Sequence, residues 1–185
     1  MVQLAAGMGA RAEVVRIPDM TAINTIGRII LLSEASALMQ TYAADRLSFG
    51  ADVRALFDQG LLLSATDYVN AQRLRSVYRR QFLKLFDSID ALITPTIPMG
   101  APKIGQMTVM IDGQEEDTRL AATRFVRGIN VIGFPAVSIP CGFDSEEMPI
   151  GLQIIGRPFG ESTILRIAAA LEDETDFHRR RPPLL

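Results

Sequence analysis

The sequence predicts an α/β fold, and three observations carry that expectation. Compact apolar runs at residues 89–94, 136–139 and 150–155, bounded by turn residues, read as buried strands. Around them lie segments whose apolar residues recur every three or four positions, the period of helices that bury one face. The composition, 48% hydrophobic and 22% charged, belongs to a globular chain with a core.

The elements follow in order. Residues 1–8 read as the end of a helix stopped by Gly7 and Gly9. Residues 12–17 are β-branched and end at Pro18, which predicts a short strand. Residues 21–45 carry a helical stripe of Ile23, Ile26, Ile30, Leu31, Ala35, Leu38 and Tyr42, and residues 52–62 a second helix. Ser64 and Asp67 have the spacing of a capping box at the start of a long helix, whose stripe is Ala71, Leu74, Tyr78, Phe82 and Leu85. Residues 95–114 are rich in Pro and Gly and read as loop; residues 118–132 read as one helix. Two strands then flank a nine-residue connection, 140–148. A last helix opens near Glu161 and runs to about Asp173, and the tail closes in Pro182 and Pro183.

Several function classes are excluded as expectations. A formal net charge of −2, with no interleaving of Arg and aromatics, gives nucleic acid nothing to bind. Arg179, Arg180 and Arg181 read as a solvated tail. The best membrane candidate is interrupted by Arg28 and Glu34, so no membrane association is expected, and the first ten residues lack the basic start of a signal peptide. The single Cys141 cannot form an internal disulfide, which predicts a reducing, cytoplasmic setting and a packing role for the thiol. One His and one Cys build no zinc site, and residues 112–117 do not fit a calcium loop, so no metal or cofactor is expected; that acidic run reads as solvated loop. Glu34 falls on an apolar helical face, where a carboxylate needs an Arg or backbone donors. The mean hydropathy of +0.19 fits either a well-buried core or an apolar face that meets something else.

Three motifs in order carry a resemblance. Ala91-Leu92-Ile93-Thr94-Pro95-Thr96-Ile97-Pro98 resembles the Pro-Thr-x-Pro segment of the amidase-signature family. Asn130, followed by Gly133-Phe134-Pro135-Ala136 and a strand ending in Pro140, is similar to its Asn and Gly-x-Pro-Ala turn. Met148-Pro149-Ile150-Gly151-Leu152-Gln153 looks like its Pro-x-Gly-Leu-Gln strand. Fainter similarity at Gly9-Ala10, Glu34-Ala35, Tyr68 to Ala71, and Arg75 extends this over nearly the whole chain.

The resemblance implies the later part of a large α/β/α fold with a mixed central sheet, here one region over residues 1–185. It also implies hydrolysis of carbon–nitrogen amide bonds, or amide nitrogen transfer, without metal or cofactor. In the family a neutral Lys draws a proton from a nucleophilic Ser through a bridging Ser on a cis peptide. The two lysines, Lys84 and Lys103, and the absence of adjacent serines mean that no catalytic residue is expected in this chain. The resemblance places Thr94, Pro95, Thr96, Asn130, Gly133 and Pro135 as substrate-pocket candidates; the alternative is that Pro and Gly there fix turns. A small-molecule amide would then be handled only together with an amino-terminal part, and self-association or a partner chain is expected.

Glutaminase members of tRNA-dependent amidotransferases carry an Asp and an Arg pair where this chain has Thr123 and the neighbourhood of Ala55 and Leu56, with Arg54 one step away. An amino-acid substrate needs such charges. The expectation therefore leans to a general amidase over a fragment like the glutaminase component of such an amidotransferase. A non-enzymatic remnant that binds small molecules or protein is the further alternative.

Overall fold

The computed structural model describes residues 1–182; Pro183 lies outside the described residues. A three-stranded antiparallel sheet, ordered β1-β5-β4, is built from Leu92–Pro95 (β1), Pro149–Ile155 (β5) and Ala136–Phe143 (β4). A separate hairpin pairs Thr108–Ile111 (β2) with Gln114–Asp117 (β3). The helices are Val2–Gly7 (α1), Met20–Met39 (α2), Ala51–Leu61 (α3), Ala65–Leu85 (α4), Thr118–Ala122 (α5), Arg124–Ile132 (α6) and Glu161–Asp173 (α7). Among the described residues the strand pairings are antiparallel, a narrower arrangement than the mixed sheet that the resemblance implies for the larger fold.

Alternation along β5 gives the sheet two faces. Leu152 and Ile154 join Ile139 and the α7 residues Ile164, Ala168 and Leu171 in one core. Ile155 and Leu92 point the other way, into a core with Phe82 and Phe86 of α4, Ile129 and Ile132 of α6, Phe134 and Ile23. Glycine lets the helices over that second core approach closely. A Cβ at Gly128 would stand 2.5 Å from Met20 Cε, and Gly27 faces Val131 with no room for one. At Gly60 of α3 a Cβ would run into Ser36 and the Leu32 carbonyl of α2.

Several elements differ from expectation for identifiable reasons. Residues 12–17 find no partner strand among the described residues; only Val15 packs on the core, and Val14 is fully exposed. The first long helix starts on an Asp19 cap, whose Oδ1 accepts from the Thr21 and Ala22 amides. It ends at Met39 and passes into a kinked 3-10 stretch, Gln40–Ser48, in which no residue is buried to hold a regular helix. Its 29-residue helical span contains an 18-residue window of mean hydropathy 1.2, long and apolar enough to cross a membrane by composition. One face of the helix, with Ile23, Ile26 and Leu32, is buried in the fold, while Leu31 and Leu38 are exposed.

The expected loop and solvated acidic run contain the β2–β3 hairpin. Asp112 (φ 50°) and Gly113 (φ 78°) form its two-residue turn, the conformation that matches the twist of paired strands. Within that acidic run Glu116 pairs with Arg124, and Asp117 caps α5 through the Leu120 amide at 3.0 Å. The expected helix 118–132 is broken at Thr123 (φ −104°, ψ 0°). The Thr123 hydroxyl donates to the Arg119 carbonyl and accepts from Arg127, competing with the backbone ladder. The capping box of α4 forms as expected, while Leu74 of its stripe is 48% exposed. Arg180 is not free in solvent. It pairs with Glu147 at 2.8 Å and lies 4.2 Å over the Phe143 ring.

The accessible surface is 12345 Å², against about 8,800 Å² for a compact monomer of 20.3 kDa. Large apolar side chains contribute to it: Leu31, Leu38, Leu47, Leu62, Ile104, Met110 and Phe159 are each more than half exposed.

Candidate functional site

On the face opposite α7 the sheet changes character along its length. Beyond Leu92 and Ile155, the next directly opposed residues are Thr94, Gln153 and Ser138. Gln153 is 3% exposed, and its Nε2 donates to Thr94 Oγ1 at 3.0 Å. One pair further along stands Gly151, whose carbonyl accepts from the Thr96 amide at 2.9 Å. The Thr96 and Ser138 hydroxyls meet at 2.6 Å, the first just past the end of β1 and the second on β4, on either side of β5. A Cβ on Gly151 would sit 2.7 Å from Thr96 Oγ1 and 3.0 Å from Ser138 Oγ, so the absence of a side chain permits that bridge. The result is an uncharged platform of two hydroxyls over a buried amide. It can offer a hydrogen bond and accept others. It has no titratable base within its own set, so it suits recognition better than proton abstraction.

Asn130, Gly133 and Pro135 form a second group. Gly133 ends α6 in the left-handed conformation (φ 70°, ψ 45°), and the Gly133 and Phe134 amides both reach the Ile129 carbonyl, at 3.1 and 3.3 Å. Phe134, buried, then packs edge-on to Phe82 with centroids 6.0 Å apart. The Pro135 carbonyl accepts from the Gly156 amide at 2.9 Å and starts β4. Gly133 and Pro135 thus have structural work that accounts for their identity, whereas Asn130 is exposed. Pro135 lies beside Gly156 and Thr96 beside Gly151, which puts the two groups five residues of β5 apart, about 17 Å along the strand. Pro95 is exposed at the end of β1, adjoining the hydroxyl group. The six sequence candidates therefore divide into two patches at opposite ends of the sheet.

Sequence reasoning passed over Ser138, Gly151 and Gln153 as site residues. Their signal was polar or missing side chains inside otherwise apolar strands. Glu34 is exposed and accepts from the Tyr68 hydroxyl at 2.8 Å rather than from an Arg. Cys141 is the extra residue of a β-bulge between Pro140 and Gly142, packed against the α7 core, and burial pushes its thiol pKa up. That opposes a nucleophilic role. Lys84 and Lys103 are both exposed. Among the described residues no three His, Cys, Asp or Glu side chains converge as a metal site.

The site is thus a helix-flanked antiparallel sheet that carries an uncharged hydroxyl platform. The chain belongs to the amidase family, whose model matches residues 2–165. It is 37% identical over 180 residues to an amidase of Pseudomonas putida, covering 96% of this chain and 38% of that protein. A fatty acid amide hydrolase of Medicago truncatula is 35% identical, with 94% and 29% covered. One glutamyl-tRNA(Gln) amidotransferase subunit, from Myxococcus xanthus, is 36% identical, with 82% and 31% covered. Among solved structures, a vestigial complex bearing on the origins of an s-triazine catabolic enzyme superposes with a TM-score of 0.86 at 31% identity, covering 94% of this chain and 38% of that one. The chain spans about a third of the length of the curated relatives it matches.

Proposed function

We propose that this chain forms the later part of an amidase-type hydrolase acting on carbon–nitrogen amide bonds. In this reading it supplies sheet strands and one wall of the acyl pocket, and the nucleophile and its base come from residues outside this sequence. The observation that carries the reading is the surface. The chain exposes about 3,500 Å² more than a compact protein of its mass, a large obligate interface by area, and large apolar side chains such as Leu47, Leu62, Ile104 and Phe159 are among those exposed. The partner surface is therefore the rest of the same fold, on this chain or a second one. Thr94, Thr96 and Ser138 are the residues offered to substrate at one end of the sheet, with Pro95 beside them. Asn130 is offered at the other end, on the turn that Gly133 and Pro135 shape. A cytoplasmic setting belongs to the same proposal, supported by the lone, unpaired Cys141.

A general amidase is favoured over a glutaminase because uncharged Thr123 and Ala55-Leu56 stand where glutaminases of this family carry an Asp and an Arg pair, the charges an amino-acid substrate needs. The test is hydrolysis of a panel of simple amides by this chain alone and mixed with a separately produced amidase segment carrying the Lys and paired serines. Activity is expected only in the mixture and is lost when the segment's nucleophilic Ser becomes Ala. Activity of this chain alone contradicts the reading, and silence in an associated mixture favours a binding remnant.

A further inference from the structure

Four side chains on α2 and α4 form a run of hydrogen bonds that ends on the last turn of α6, just before the turn into β4. The Tyr68 hydroxyl donates to Glu34 Oε1 at 2.8 Å and accepts from Gln72 Nε2 at 3.0 Å. Gln72 Oε1 accepts from Arg75 Nη1 at 3.2 Å, and Arg75 Nε donates to the Val131 carbonyl at 2.5 Å. Along the run from Arg75 to Glu34 every donor points the same way, so the cation and the carboxylate polarise the two neutral groups between them in a common sense.

The terminus of that run is specific. Val131 is the next-to-last residue of α6, where a carbonyl has no partner within the helix. A cation there also complements the helix dipole. Arg75 is half-buried, and its Nη2 lies 3.9 Å from where a Cβ on Gly133 would stand. A free Arg side chain samples many rotamers, and ordering it costs entropy. Bonds at both Nη1 and Nε remove that freedom before the turn is met.

We infer that Arg75 is a positioning residue for the turn bearing Asn130, Gly133 and Pro135, oriented from α2 by Glu34 through Tyr68 and Gln72. The inference deepens the reading above, since the turn matters to function only as a pocket element of the proposed hydrolase. Arg75 acts through the Val131 carbonyl and touches no reacting atom.

The test reads amide hydrogen exchange at Gly133 and Phe134 by NMR in the ¹⁵N-labelled chain. Both amides bond to the Ile129 carbonyl, within two residues of Val131. Tyr68→Phe keeps the ring and removes the hydroxyl that joins Glu34 to Gln72. It is expected to speed exchange at both amides about three- to tenfold and to leave the Ile154 amide of β5 unchanged. Arg75→Lys gives the same local response, while Arg79→Gln, an exposed residue of the same helix, gives none. Exchange at Gly133 within twofold of the parent in Tyr68→Phe overturns the inference, as does equal acceleration at Ile154. Repeating the measurement with the catalytic segment bound separates the two readings. A response kept in an inactive assembly sinks the hydrolase reading alone, and no response in an active one sinks the relay alone.

Discussion

Gly60→Ala probes the close contact between α3 and α2. The new Cβ would run into Ser36 and the Leu32 carbonyl and stand 2.9 Å from the Leu32 carbonyl carbon. That carbon and oxygen are helical backbone and cannot swing aside, so α3 must move away from α2. The movement also strains the bond from Ser36 Oγ to the Phe57 carbonyl, 2.8 Å long and made by a side chain only 4% exposed. Alanine in a helix interior gains about 0.5–1 kcal/mol over glycine. Overpacking costs about 1–3 kcal/mol, and a weakened buried hydrogen bond about 1 kcal/mol more. The net is a loss of about 1–3 kcal/mol, or a Tm lowered by about 3–10 °C for a chain of this size. Thermal unfolding followed by circular dichroism reads the shift. Gly7→Ala, where no atom lies within 4 Å of the added Cβ, is the control and leaves Tm unchanged or slightly higher. A Gly60→Ala variant as stable as the parent would refute the crossing as described.

Other consequences follow from single contacts. Thr94→Val leaves the buried Gln153 amide without its acceptor and is expected to cost about 1–3 kcal/mol in a urea titration; an unchanged midpoint contradicts the buried pairing. Asp67 is held below the usual carboxylate range, first by the Ser64 side chain and then by its backbone amide. The α4 cap therefore stabilises fully above the ordinary carboxylate pKa and weakens as pH falls through the lowered one, a slope that Ser64→Ala reduces in an acid titration of Tm, since the backbone amide of residue 64 still donates to Asp67. Cys141, with its thiol pKa raised by burial, should alkylate with iodoacetamide at neutral pH at least several-fold more slowly than free cysteine. Reaction faster than free cysteine would point to an activated thiol.

Legibility tracked the range of the forces involved. The capping box at Ser64 and Asp67 and the start of α7 at Glu161 are set by neighbours within one helical turn, and the sequence shows them directly. The β2–β3 hairpin was equally local, signalled by Asp112-Gly113, but its second strand is Gln-Glu-Glu-Asp and reads as solvent-facing. The break at Thr123 depends on a hydroxyl choosing a carbonyl over the helix, which periodicity does not register. Thr94 and Thr96 were legible as candidates through the motif that contains them. Their partners Gln153 and Ser138 lie 59 and 42 residues away, and only the register of three strands brings them together. Glu34 illustrates the opposite error: a carboxylate on an apolar stripe suggests burial, yet Leu31 and Leu38 beside it are 60% and 64% exposed. The two segments expected to face substrate lie apart, separated along the sheet.

That exposed stripe is part of a larger open surface. A soluble monomer rarely leaves contiguous apolar faces open. If the excess of about 3,500 Å² is matched on the partner, association buries about 7,000 Å² in all. With a little over half of that area apolar, the heat capacity change is about −1 kcal/mol/K. Isothermal titration of this chain with the catalytic amidase segment, repeated at several temperatures, measures it directly. One-to-one association with a change of that size is expected. Binding with a heat capacity change near zero, or no binding between two folded parts, would contradict the claim that this chain is one portion of a larger amidase fold.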